Sequence, residues 1–216
     1  MLKISWKHFL MSDNILNQVA NYYSNKINEF GTTPKGVDWN GEESQFLRFE
    51  QLMKLVEKEK NNLSILDYGC GYGGMQEFLL QNFGTNLNYI GFDISKEMIA
   101  AAKEKFPTNG QFLCELKKDF TTDFVVASGV FNVRQDTIIE QWEQYVFKTI
   151  HELNSLSNKG FSFNLLTSYS DKELMKEYLY YGNPEEYFRF CKLNFSRNVS
   201  LLHDYSLYEF TIIVKK

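Results

Sequence analysis

Along most of the chain, short apolar runs alternate with longer segments whose apolar residues recur every three to four positions, the signatures of buried strands and amphipathic helices. The run at 63–67, centred on Ile65 and Leu66, predicts a strand, and 73–82 a helix. Strand 88–93, helix 95–105, strands 111–114 and 123–128, helix 136–154 and strand 160–167 follow. Helices at 171–180 and 184–192 precede two last strands, 198–204 and 208–215. Alternation of this kind implies a mostly parallel sheet with helices on both faces, an α/β class. The last two strands are joined by a few residues, too short for a parallel crossover, so they form an antiparallel hairpin.

The first third has a different texture. Ile15, Val19 and Tyr22 fall at i, i+4, i+7 and predict a helix; 31–41 holds three glycines and one proline and reads as a loop. Helical spacing returns over 42–60 through Phe46, Phe49, Leu52, Met53 and Val56. We therefore expect residues 1–62 to form a helical cap belonging to the same domain as a core at 63–216. A chain of 216 residues suits one α/β domain with an addition.

Composition narrows the partners. Net charge is −4, without the basic footprint that phosphate contacts demand, so no nucleic-acid partner is expected. Cys70, Cys114 and Cys191 lie far apart without C-x-x-C spacing, which implies neither a disulfide framework nor a metal site. Lys7 and His8 interrupt any leader-like apolar core, and there is no apolar run of spanning length, so the expectation is a cytoplasmic protein with no membrane partner.

The chemistry concentrates after the first strand. Leu63-Ser-Ile-Leu-Asp-Tyr-Gly-Cys-Gly-Tyr-Gly-Gly74 ends a strand in an acid, Asp67, and then places Gly69, Gly71 and Gly73 at alternate positions. Such a turn lets backbone approach a ligand that side chains would keep away. Gly69, Gly71 and Gly74 also satisfy G-x-G-x-x-G, which nicotinamide-dependent oxidoreductases share. The next strand closes on Asp93, at the spacing from which a carboxylate reaches ribose hydroxyls. Asp67 would crowd a dinucleotide phosphate but can face a cationic amino-acid moiety.

Together with Tyr89-Ile-Gly-Phe-Asp-Ile-Ser95 and Asp123-Phe-Val-Val-Ala-Ser-Gly-Val-Phe-Asn132, this turn resembles the class I S-adenosylmethionine-dependent methyltransferases over about residues 60–216. The resemblance implies a Rossmann-like, seven-stranded, mostly parallel sheet with an antiparallel terminal strand, and S-adenosylmethionine as cofactor. It further implies that Asp67 and the glycines hold the methionine moiety, Asp93 with Ile94 the ribose, and Glu115 with Leu116 the adenine, Asp119 being an alternative to Glu115. Ser128 to Asn132 would line the floor near the transferred methyl. More weakly, the stretches at 30–41 and 195–205 resemble small bacterial methyltransferases of capsule and other surface-polysaccharide gene clusters.

In an open α/β sheet, ligands gather at the carboxyl ends of the strands. If the strand from Asn198 runs parallel, its end delivers His203, Asp204 and Tyr205 to that rim, and His203 becomes a candidate base beside Asn132 and Tyr205. Trp39, Asn40, Gln45 and Arg48 in the cap, with Arg134, Arg189 and Arg197, are candidates for the acceptor pocket, where guanidinium groups could fork onto a phosphate or carboxylate. The expected activity is methylation of oxygen or nitrogen on a small polar molecule, such as a sugar nucleotide, sugar amide or phosphorylated metabolite. The alternatives are a non-catalytic S-adenosylmethionine-binding protein and a nicotinamide-dependent oxidoreductase.

Overall fold

The structure, a computed structural model, describes residues 6–39, 41–56, 63–83 and 87–216. Asn40 and the last four residues of the helix expected over 42–60 lie outside them. Helices α1 (Trp6–Phe30) and α2 (Glu42–Met53) come first, linked by a loop with a short 3-10 turn at Pro34–Val37. Then follow β1 (Leu63–Tyr68), α3 (Gly74–Asn82), β2 (Leu87–Phe92), α4 (Lys96–Lys105), β3 (Gln111–Leu113) and β4 (Thr122–Ala127). The chain continues with α5 (Ile139–Leu156), β5 (Ser157–Thr167), β6 (Tyr181–Gly182), α6 (Pro184–Asn194), β7 (Asn198–Leu202) and β8 (Glu209–Lys215).

The sheet runs β3-β2-β1-β4-β5-β8-β7, the expected seven strands, and the two-residue β6 is added beside Leu166 and Thr167 of β5. β8 runs antiparallel to both β5 and β7, so β7 points the same way as the other strands. Side chains alternate across it as the pleat requires. Leu66, Val125, Phe161, Phe163 and Phe210 face α5 and α6, whereas Ile65, Phe124, Val126 and Ile213 face α2, α3 and α4. Ile65, Leu66, Val125 and Val126 are fully buried, as central parallel strands covered on both faces demand. Among the described residues, no helix is long and apolar enough to cross a membrane.

The helix expected over 171–180 is absent; a 3-10 turn at Lys172–Leu174 is what remains of it. Tertiary pairing displaces it. Backbone N–H groups of Arg134 and Gln135 donate to the Tyr178 carbonyl at 3.1 and 3.0 Å, Tyr180 N–H donates to the Asn132 carbonyl at 2.8 Å, and Val133 bridges Leu179. Arg134 itself donates to the carbonyls of Thr137 and Glu177. A helix here would forfeit those bonds, and helix propensity is too weak a term to outweigh them.

Candidate active site

The glycine turn leaves β1 at its carboxyl end and is tied to the end of β2. Gly69 and Cys70 N–H groups donate to the Phe92 carbonyl at 2.8 and 3.0 Å. Asp93 closes the link: one carboxylate oxygen accepts from Gly71 N–H at 2.9 Å, the other from Ser95 N–H at 2.8 Å. Ser95 in turn caps α4 through its hydroxyl. Gly71 has φ +55°, and a Cβ there would lie 2.9 Å from Val37 of the α1–α2 loop. Both the conformation and the space therefore call for glycine.

Above this floor lies a cleft of about 880 Å³, counting space open to solvent. Its floor comprises the glycine turn with Asp67, the β2 end at Asp93 and Ile94, and the β4 end at Ser128, Gly129 and Val130. Leu16, Val19 and Tyr23 of α1, with Val37 and Trp39 of the following loop, form the roof. Asp38 anchors that loop to α1, accepting from the Tyr22 hydroxyl at 2.9 Å and pairing with Lys26 at 3.0 Å.

The cleft's electrostatics follow from two carboxylates and no described cation. Among the described lining residues, Asp67 and Asp93 carry charge, and none is Lys, Arg or His. Burial pushes the Asp67 carboxyl up to about 7, with Asp93 adding to the rise and a 2.7 Å hydrogen bond from the Tyr89 hydroxyl opposing it. Burial also raises Asp93, against its two amide hydrogen bonds. Two desolvated acids in one cleft are costly until a cation joins them. Ser128 adds an unpartnered buried hydroxyl at the β4 end, a polar atom that calls for a ligand partner. Ribose hydroxyls beside Asp93 and a positive charge beside Asp67 suit S-adenosylmethionine.

A methyltransferase-domain family model matches residues 65–152, from β1 into α5. A Mycobacterium tuberculosis protein, Rv1506c, assigned as a methyltransferase, is 46% identical over 155 residues, covering 71% of this chain and 93% of that one. The chain belongs to the class I S-adenosylmethionine-dependent methyltransferases. S-adenosylmethionine is its methyl donor, and the nicotinamide alternative falls away. Among solved structures, the fold is similar to magnesium protoporphyrin IX methyltransferase of Synechocystis PCC 6803 with bound SAH, at a TM-score of 0.63 and 15% identity, over 97% of this chain and 99% of that one. It is also similar to a DhpI–SAH complex, at 0.61 and 15%, over 93% and 97%.

Asp67, Gly69, Gly71, Asp93, Ile94, Ser128 and Trp39 all border this methyltransferase's cleft. Gly73 stands one step back as the left-handed residue opening α3. Other candidates lie elsewhere. Glu115 is exposed beyond β3, and Leu116 packs against the core under α5. Asn132 is buried two residues beyond Val130; its side-chain oxygen accepts from Leu166 N–H at 3.2 Å and its amide nitrogen is unpartnered.

β7 does run parallel and brings His203 to the same rim, but on the edge strand, separated from β4 by β5 and β8. At the usual strand spacing that separation is about 14 Å. His203 is exposed, its ring 5.9 Å from Tyr169 and 6.3 Å from Phe210, and the Tyr205 hydroxyl is engaged with Thr211 at 2.9 Å. Arg134 is occupied by backbone carbonyls, and Arg197 is exposed at the start of β7, at the opposite end of the strands from the cleft. Arg48 points away from any acceptor: it is buried against Glu209, with Nε and Nη2 at 2.8 and 2.7 Å from Oε1.

Glu209 and its neighbour Asn164 are missing from the sequence-level candidates. Glu209 opens a strand after a loop, where an acid reads as solvent-facing, and Asn164 interrupts an apolar strand without any motif. The one available signal is positional: a polar residue at the middle of a strand covered on both faces must have a partner.

Proposed function

We propose that the protein methylates a nitrogen or oxygen of a small acceptor that presents no negative charge to the cleft. The observation that carries this is the described lining: two acids, several aromatic rings and no Lys, Arg or His. A phosphate inside such a cleft would meet carboxylates and no cationic side chain, and the donor's positive charge is already faced by Asp67. The resemblance to surface-polysaccharide enzymes narrows accordingly to a neutral sugar hydroxyl or amide, or an amino sugar, with any phosphate held outside. A DhpI structure with SAM and HEP and a plantazolicin methyltransferase structure with a pentazolic desmethylPZN analogue show relatives of this fold holding small molecules or peptides.

S-adenosylmethionine supplies a methyl group already activated on a sulfonium. The residues here contribute orientation and exclusion of water, and orientation alone can lower a barrier by roughly 7–11 kcal/mol. Asp67, with its carboxylate beside the cation, and Asp93, with its carboxylate at the ribose, fix the donor; Ser128 offers a free hydroxyl at the β4 end. The phenols bordering the cleft are not bases. Burial lifts Tyr72 and Tyr145 to about 12 and also raises Tyr23 and Tyr68, so all four stay protonated and serve as hydrogen-bonding groups. The chemistry favours the amino sugar or an acidic hydroxyl, which attack without a strong base, over a sugar hydroxyl or amide, which would need one.

The test is transfer of labelled methyl from S-adenosylmethionine to a panel of amino sugars, neutral sugars, phenols and their phosphorylated counterparts. Turnover is expected on uncharged or cationic members. Turnover confined to the phosphorylated ones would overturn the charge assignment, and tight donor binding without turnover on any would favour the non-catalytic reading.

A further inference from the structure

The roof of the cleft is held from behind. Trp39 lies over Gly129, so closely that a Cβ on that glycine would sit 2.3 Å from the indole. The indole meets Gly129 through its Cζ2–Cη2 edge, and the Arg48 guanidinium stacks on the ring 4.0 Å from its centroid. Arg48 is fixed by Glu209 through two hydrogen bonds to Oε1 and by the Ser44 carbonyl at 2.7 Å. The second Glu209 oxygen accepts from the Asn164 amide at 2.5 Å, and the Asn164 carbonyl accepts from Gly129 N–H at 2.8 Å. The circuit is closed: Glu209 reaches Trp39 through Arg48 and reaches the glycine beneath Trp39 through Asn164.

Both ends of that circuit border the cleft, and its centre does not. Glu209 is fully buried, with its two oxygens assigned to different walls. A carboxylate suits this place. It satisfies two Arg48 donors and one amide at once, and a neutral isostere would leave the guanidinium without its charge. Gly129 has φ +71°, a left-handed conformation open to glycine, and its N–H is the group that Asn164 holds.

We propose that Glu209 is a positioning residue for methyl transfer, setting the height of Trp39 over the β4 end through Arg48 and the conformation of the Gly129 turn through Asn164. The donor site is thereby completed by a strand that contributes no residue to the cleft. The proposal rests on the donor lying in this cleft.

Glu209→Gln keeps the size and removes the charge. Two readings are taken: Trp39 emission and acrylamide quenching, isolated by subtracting the Trp39→Phe protein, and the affinity for S-adenosylhomocysteine by calorimetry. We expect Trp39 to shift to the red and quench more readily without any ligand, and affinity to fall about tenfold, equivalent to about 1.4 kcal/mol. Leu153→Ala, a cavity in the α5 core, serves as control: it lowers thermal stability and leaves both readings within about twofold. Glu209→Asp, which retains the charge, should recover part of each and replaces Glu209→Gln if the latter does not fold. In the double variant Glu209→Gln/Trp39→Phe the affinity losses should fall short of additive, because the route through Arg48 to Trp39 is common to both. Unchanged quenching and affinity in Glu209→Gln, or additive losses in the double variant, would overturn the proposal. Wild-type protein without affinity for S-adenosylhomocysteine would overturn the donor assignment instead, a separate outcome because the quenching needs no ligand.

Discussion

Gly71 and Asp93, which close the floor of the cleft, are 22 residues apart in the chain, whereas Arg48 and Glu209, which hold its roof, are 161 apart. The part of the floor that carries the acids is one strand-turn-helix-strand unit whose contacts follow from its own local order, joined by the β4 end. Its acids stay partly uncompensated, as a site awaiting a cation must. The roof is the reverse: two helices, a loop and two strands meet, and its charges are paired before any ligand arrives. Floor residues should accordingly show their effects mainly in binding, and roof residues mainly in stability and in the shape of the site.

That contrast can be broken experimentally, and the largest effect should come from the roof. Arg48→Met leaves Glu209 buried without its counter-charge and should cost about 3–5 kcal/mol in urea denaturation. Arg48→Met/Glu209→Gln, which strands no charge, should recover much of that. On the floor, Asp93→Ala removes the acceptor of two backbone N–H groups and the carboxylate that we propose meets the ribose. Donor affinity should fall about 100-fold, or about 2.7 kcal/mol by calorimetry, with a smaller change in thermal stability than the roof variant. If Asp93→Ala unfolds the protein more than Arg48→Met does, the division of labour is wrong.

Gly129→Ala joins the two regions. A left-handed backbone costs a side-chain-bearing residue about 1–2 kcal/mol, and the Trp39 contact adds to it. Thermal melting should register the loss, and Trp39 emission should shift as the ring is pushed outward.

The pH response belongs to the floor. Asp67 is raised from 3.8 to about 7, so the fold favours its protonated form, and its contribution to stability is lost as pH rises from about 4 through 7. Binding a cationic donor favours the carboxylate. Donor affinity should therefore climb by up to about tenfold per pH unit below 7 and level off above it. Asp67→Asn should bind more weakly and flatten the profile; an unchanged slope would assign the proton elsewhere. The smallest effect is expected from His203→Ala, exposed on the edge strand. Its stability should stay within about 0.5 kcal/mol of wild type, with donor affinity unaltered.

The same distinction explains what could be read before the fold was known. Ile65, Leu66 and Val125 announce central strands because a residue buried on both sides of a sheet leaves an uninterrupted apolar run. The glycines and Asp93 are legible because their spacing is itself the geometry. The 171–180 segment, helical by pattern, was decided by Arg134 and Asn132 on another loop. His203 was placed on the correct rim from strand direction, and only the strand order put it at the sheet's edge. Arg48 looked available for an acceptor because the acids beside it in the chain, Glu42, Glu43 and Glu50, are exposed and its buried partner Glu209 lies 161 residues away.

By itself, then, the sequence determined the alternation of strands and helices, the methyl donor and the two acids at the strand ends, since each depends on residues near one another along the chain. The roof, the pairing of Arg48 with Glu209 and the lack of Lys, Arg and His from the described lining of the cleft were decided by tertiary structure. Burial turns a polar residue's partner into an energetic necessity without recording in the sequence which distant residue will supply it.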